Sequence, residues 1–253
     1  MRLETYSLDF EDLILFAMLH EIRDGFYIDV GANDPSINSV TKIFYDRGWS
    51  GINIEPLRSR CKLLEEFRPR DINLCIGIGS ESDEKIFYEI PELDILSSFS
   101  EEVARENAEE MIRANSQSDF SKREIIRESS RKIMTLTEVF RSYCDPQQPV
   151  HFCKIDVEGF EHEVLLGVKN WQKFRPWIFC IESHEPTEEH PEYLIWEKIL
   201  IDAGYQFMFN FGINRFYVDS RKNHLSKNLV QIREFLSQHE IFRVNFEPLT
   251  ITS

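Results

Sequence analysis

The amino-acid sequence predicts a single doubly wound α/β domain, and three observations carry that prediction. Short apolar runs alternate with stretches of helical periodicity, the signature of βαβ units around a parallel sheet. The first run ends in a glycine turn, Asp29-Val30-Gly31-Ala32-Asn33-Asp34. Four runs end in an acidic residue: Asp29, Glu55, Asp156 and Glu182. With 253 residues the chain can bury one substantial core, and no internal repeat or low-complexity linker divides it.

Taken in order, an amphipathic segment over residues 12–20 makes residues 1–24 an N-terminal helical cap. The run Phe26-Tyr27-Ile28-Asp29-Val30 is the first strand. A helix over 38–46 follows, capped by Ser36 or Asn38 and ended by Gly48. Residues 52–54 form a second strand, stopped at Glu55-Pro56 because proline cannot donate to a ladder. A helix over 57–67 leads to strands over 73–78 and 85–90, joined by a polar turn. Residues 91–131 are polar, helix-prone and rich in both charge signs, which marks a helical insertion. It is read as a lid over the site, with a solvated excursion as the alternative. The α/β pattern then resumes with a helix over 137–143, a strand over 150–155, a helix over 160–167 and a strand over 177–181. A helix over 192–203 leads to an antiparallel pair, 205–209 with 216–218, and the tail over 221–253 holds one more helix.

Composition narrows the function. The formal charge of −15 opposes the phosphate backbones and acidic lipid surfaces that Lys- and Arg-rich proteins bind. Nucleic acid is therefore not an expected partner, and a neutral acceptor or cationic cofactor suits the field better. The 20 phenylalanines are read as core packing. Five cysteines, an odd number with no C-x-x-C pair, read as free thiols in a reducing cytoplasm, and Cys75, Cys153 and Cys180 fall in strand-like runs. The acidic opening lacks a basic, apolar leader and no window is apolar enough to span a membrane, so membrane insertion is not expected.

Ligands of open α/β sheets sit beyond the carboxyl ends of the strands, so the acidic strand ends are the candidate site. The turn after Asp29 is not the G-x-G-x-x-G fingerprint that cradles a pyrophosphate, which disfavours a nicotinamide-type dehydrogenase. It suits a ligand without phosphate, such as S-adenosylmethionine, whose ammonium Asp29 can hold while Gly31 admits the backbone closely. An ordinary turn with a capping Asp is the plainer reading. Glu55 lies at the interval from Gly31 at which a second-strand carboxylate accepts from ribose hydroxyls.

Further on, Lys154-Ile155-Asp156-Val157-Glu158-Gly159-Phe160-Glu161 places Asp156 and Glu158 on one side if the backbone stays extended. Glu182 and His184 share a face in the same way. Two readings of this cluster stand open. In one, carboxylates with His184 bind Mg²⁺, which orients an acceptor hydroxyl and lowers its pKa. In the other, His184 or a carboxylate is a general base without metal. Pairing of Glu158 and Glu161 with Lys or Arg is the purely structural alternative. Asn214 and Arg215, after the Gly212 turn, are candidate acceptor contacts, while His151, His162 and Trp49, Trp171 and Trp177 read as packing or surface residues.

At these residues the sequence resembles the FkbM family of S-adenosylmethionine-dependent methyltransferases. The matching pieces are Tyr6-Ser7 with Glu11-Asp12-Leu13-Ile14-Leu15, Phe26 to Asn33, Tyr45 with Gly48-Trp49, and Gly51 to Pro56. Lys154 to Glu161, Arg175-Pro176, Ile181-Glu182 and Asn214-Arg215-Phe216-Tyr217-Val218 continue the match. The resemblance implies a Rossmann-like, seven-stranded class I methyltransferase sheet with the cofactor over Asp29, Gly31 and Glu55. It also implies O-methylation of sugar or glycan acceptors, and makes Asp156 and Glu182 candidate Mg²⁺ ligands. The chain departs from the family at Leu8, where Gln usually follows Tyr-Ser, and at Phe211-Gly212, where Asp-Gly is frequent.

The expected cofactor set is thus Asp29, Gly31, Ala32, Asn33 and Glu55, joined by Tyr6 and Ser39. The expected catalytic set is Asp156, Glu158 and His184, and the expected metal set is Asp156, Glu182 and His184. A non-catalytic nucleoside- or glycan-binding module would keep Asp29 and Glu55 but tolerate loss of Asp156 and His184.

Overall fold

The computed structural model describes residues 2–91, 94–114, 125–183 and 193–243. The chain opens with β1 (Arg2–Thr5), then α1 (Glu11–Leu19), β2 (Phe26–Val30), α2 (Lys42–Asp46), β3 (Ser50–Ile54), α3 (Arg58–Phe67) and β4 (Ile72–Leu74). A side region follows with β5 (Gly77–Ile78), β6 (Asp83–Glu89), α4 (Glu101–Ala114) and β7 (Arg127–Met134). The rest is α5 (Leu136–Tyr143), β8 (Phe152–Ile155), α6 (Glu161–Leu166), β9 (Ile178–Glu182) and α7 (Tyr193–Asp202), then β10 (Tyr205–Phe211), β11 (Asn214–Asp219), α8 (Leu229–Ser237) and β12 (Glu240–Arg243).

Seven strands form the central sheet in the order β10-β11-β9-β8-β2-β3-β4. β4, β3, β2, β8 and β9 run parallel, and β11 is antiparallel to both β9 and β10. The chain is therefore α/β with a mixed sheet, consistent with a methyltransferase fold. Every residue of β2, β8 and β9 is buried, as expected of strands covered on both faces. One face carries Tyr27, Phe152, Cys180 and Phe216 against α1, α2 and α8. The other carries Ile28, Cys153, Phe179 and Ile181 against α5, α6 and α7. From β2 the chain moves outward to β4 and then returns to place β8 on the other side of β2. That reversal opens a crevice beyond the carboxyl ends of β2 and β8.

Several elements differ from the sequence reading. The N-terminal cap contains a strand: β1 pairs in parallel with β12, from Arg2 opposite Glu240 to Thr5 opposite Arg243. α1 is not amphipathic, because all nine of its residues are buried between the sheet and α8. The helix expected over 38–46 is helical only from Lys42, with Thr41 at its N-cap, and Thr41's hydroxyl is turned to Asp29 instead. The strand expected over 73–78 is split: β4 belongs to the central sheet, while β5 joins a second sheet ordered β5-β7-β6. Cys75, between them, is exposed. β7 begins inside the expected 91–131 insertion and pairs with β6 from Asp83 opposite Ile133 to Glu89 opposite Arg127. Its outer face is exposed, so it shows no apolar run. α4 packs Ala108 and Met111 on Ile90. Among the described residues no helix is long and apolar enough to cross a membrane.

Candidate functional site

A cavity of about 250 Å³ lies at the carboxyl ends of β2, β3, β8 and β9. Its walls come from the turn after β2, the segment around Glu55, residues 76–78, the 94–99 stretch of the insertion, the ends of β8 and β9, and a lip formed by Leu8, Glu11 and Asn214.

The glycine turn is dictated by packing. Gly31 has φ +83°, and a Cβ there would lie 1.7 Å from the carbonyl oxygen of Asp156. What needs the glycine is thus the end of β8, pressed against the turn, rather than a ligand. The N–H groups of Gly31 and Ala32 both donate to the Ile54 carbonyl, at 3.0 and 3.1 Å. Asn33, with φ +45°, directs its N–H to Glu55 Oε2 at 2.9 Å. Glu55 Oε1 accepts from the Leu57 N–H at 2.7 Å, and burial pushes this carboxyl up to about 7. Gly31, Ala32, Asn33 and Glu55 all line the cavity. Each Glu55 oxygen keeps further lone-pair capacity for donors there.

Asp29, Tyr6 and Ser39 do not line it. Asp29 lies within β2, in register with Asn53 of β3 and Lys154 of β8. It is 2% exposed, accepts from Thr41 Oγ1 at 3.1 Å, and has Oδ1 without a hydrogen bond among the described residues. Burial pushes its carboxyl up, and the nearby Lys154 ammonium opposes that. The Tyr6 hydroxyl donates to Glu4 and Asp46, at 3.0 and 3.2 Å. Ser39 accepts from Arg68 Nη2 at 2.9 Å in a buried network that also holds Asp71, Tyr27 and Asn53. All three side chains are engaged away from the cavity lining.

Asp156, Glu158 and Glu182 converge, with one carboxylate oxygen from each lying within 4.8 Å of the others. The reason differs from strand alternation. β8 ends at Ile155, and Glu158 and Gly159 take left-handed backbone conformations, φ +52° and +85°, which swing the Glu158 side chain back. Asp156 Oδ2 accepts from Lys154 Nζ at 2.7 Å. Glu182, at the end of β9, is 7% exposed, and its Oε2 has no hydrogen bond among the described residues. Burial, then the neighbouring Asp156 carboxyl, holds Glu182 well above the usual carboxylate range. Glu161, also buried, accepts on Oε1 from the Val157 N–H at 3.1 Å. His184 lies outside the described residues.

Sequence reasoning missed three charged residues here. Burial pulls the Lys154 ammonium down, but Asp156 and Asp29 outweigh it and keep it charged. Glu11 accepts from Asn214 Nδ2 at 3.0 Å and from the Asp9 N–H at 2.9 Å. Arg60 ties the turn to the insertion, with Asp34 at 2.7 Å and both oxygens of Asp94 at 2.7 and 2.9 Å. Of the pair after the Gly212 turn, Asn214 lines the cavity, whereas Arg215 bonds Glu197 and stacks on Tyr193. His151 is a packing residue: it accepts from the Phe26 N–H at 3.0 Å, and burial pushes it down to about 4.

Residues 29–207 match the model of the Methyltransferase FkbM domain, more than half of the chain. The chain belongs to the FkbM methyltransferase family. The matched span contains the glycine turn, Glu55, the Asp156–Glu158 turn and Glu182, so it covers every wall of the cavity except the lip of Leu8, Glu11 and Asn214. A comparison with curated proteins finds no match. A methyltransferase domain implies use of S-adenosylmethionine, and the cavity of this FkbM protein has lining residues that suit the chemistry of that molecule. Ile54, Ile78 and Phe99 offer apolar walls for a purine, and Glu55 offers a carboxylate for a diol. The excess of carboxylates suits a sulfonium cation.

Proposed function

We propose that this FkbM-family protein is an S-adenosylmethionine-dependent O-methyltransferase acting on a hydroxyl of a sugar, in a glycan or a glycosylated natural product. The observation that carries the reading is the convergence of Asp156, Glu158 and Glu182 in the same cavity as Glu55. The strand order, with β11 antiparallel between β9 and β10, supports the seven-stranded class I arrangement.

Bound S-adenosylmethionine supplies an electrophilic methyl carbon on sulfur. Glu55 accepts from the ribose hydroxyls, while Gly31, Ala32 and Asn33 shape the wall beside them. Asp29, beneath the turn, contributes charge and keeps Thr41 and Lys154 in place. Asp156, oriented by Lys154, and Glu158 flank the acceptor hydroxyl, and one of these carboxylates takes its single proton, with His184 as the alternative base. Holding the hydroxyl against the methyl donor supplies much of the acceleration. The same three carboxylates suit Mg²⁺, which would bind the acceptor oxygen and lower its pKa. The net charge of −15 favours a neutral acceptor over nucleic acid, and five unpaired thiols suit a cytoplasmic location.

Calorimetric titration with S-adenosylmethionine, followed by a methyl-transfer screen over neutral sugars and glycosides, tests the reading. Micromolar binding and transfer to at least one sugar hydroxyl are expected. No binding by folded protein refutes it. Activity lost with chelator and restored by Mg²⁺ selects the metal route, and activity unaffected by chelator selects the carboxylate or His184 as base.

A further inference from the structure

The stretch that connects β6 to α4 touches the acidic cluster from behind. Ser97 and Phe99 line the cavity, whereas Ser98 between them points away from it. Ser98 is 1% exposed, and its hydroxyl donates to the carbonyl oxygen of Glu158 at 2.7 Å. The same hydroxyl oxygen accepts from the Ser100 N–H at 2.9 Å. Its backbone is held on both sides by Tyr88: N–H to carbonyl at 3.2 Å, and Tyr88 N–H to the Ser98 carbonyl at 2.9 Å. The backbone that carries the donor is therefore held in place by its strand-like pairing.

Glu158 needs such a brace. Its φ of +52° is disfavoured for any residue with a Cβ, and the following Gly159 at +85° continues the same tight turn. If the turn relaxed to an extended backbone, the Glu158 carboxylate would leave Asp156 and Glu182. The same stretch clamps the turn elsewhere. Val103 lies where a Gly159 Cβ would meet it at 2.8 Å, and the Phe99 ring packs on Phe160 with centroids 5.6 Å apart.

We propose that Ser98 is a positioning residue, whose hydroxyl fixes the left-handed turn at Glu158 and so holds that carboxylate in the cluster that receives the acceptor hydroxyl. The insertion is thus a brace for the reaction centre. This rests on the methyl-transfer reading above.

The test uses the full-length chain with S98A, E158Q and the double variant. It measures S-adenosylmethionine affinity by calorimetry, kcat and KM for an accepted sugar, and thermal unfolding. S98A is expected to lower kcat about tenfold, to leave cofactor affinity within about twofold, and to change KM little. Because Ser98 acts through Glu158, adding S98A to E158Q is expected to lower kcat by less than about twofold more. S98C, whose thiol is a poorer donor, serves in place of S98A if alanine unfolds the chain, with the same expected pattern. An active wild type whose S98A variant keeps full kcat overturns the proposal alone. So does a full tenfold loss on adding S98A to E158Q, which would mark a general structural role. A wild type that transfers no methyl group overturns the function reading and this proposal with it.

Discussion

Replacing Glu55 with Gln keeps the shape of the side chain but removes its charge. In the folded protein Glu55 titrates near 7, against 4.5 for an ordinary glutamate, because it is buried. The sign follows directly. Below 4.5 the group is protonated in folded and unfolded chains alike. As pH rises from there through 7, the unfolded chain releases its proton first, and the ligand-free fold loses stability on the order of 3 kcal/mol. A diol that donates only to the ionised form reverses that loss on binding. About one tenth of Glu55 is ionised at pH 6 and about nine tenths at pH 8, so affinity should rise about tenfold between them. Adenosine is the proper probe, because the α-amino group of S-adenosylmethionine titrates in the same range. Calorimetry should show that rise for the wild type. E55Q should bind equally at both pH values, and at pH 8 at least about tenfold more weakly than the wild type, having lost charge-assisted bonds of about 1.5–3 kcal/mol each. Its amide must also point a donor at the Asn33 or Leu57 N–H, leaving one buried N–H unpaired. Wild-type affinity that is identical at pH 6 and pH 8, or E55Q binding as well as wild type, refutes the reasoning.

Two further predictions concern the support beneath the cavity. G31A places a Cβ 1.7 Å from the Asp156 carbonyl at a positive φ, so it should destabilise the fold by more than about 2 kcal/mol in urea unfolding, and a wild-type midpoint would show that the turn is not packed as described. D29N removes a charge whose burial is unfavourable on balance even beside Lys154, so its urea midpoint at pH 8 should move upward, while cofactor affinity falls less than in E55Q because the side chain is off the cavity wall. A lowered midpoint would mean that the ionised carboxylate is needed to balance Lys154.

The central strands were legible because β2, β8 and β9 are buried on both faces and read as short, mostly apolar runs, broken only by Asp29 in β2 and Lys154 in β8, whose ends stand out. Gly31, Glu55, Asp156 and Glu182 could therefore be placed at one edge before any coordinates. β1, β7 and β12 escaped notice for the complementary reason. Arg127–Met134 alternates exposed charge with few apolar residues, and the two terminal strands are four residues each, too short for periodicity to register. The sequence thus determined by itself the α/β class, the order of the central units, the family and the carboxylates at the strand ends. These depend on periodicity and turn chemistry acting over a few neighbouring residues.

Only the tertiary structure decided which charges meet. It turned Asp29 beneath the sheet edge, drew Glu158 back through two left-handed residues, and set Lys154 at 2.7 Å from Asp156. It also brought Glu11 to Asn214, 203 positions apart in the chain. A buried charge takes its partner and its pKa from distance and local dielectric, and both are set by elements that pack together from remote parts of the chain.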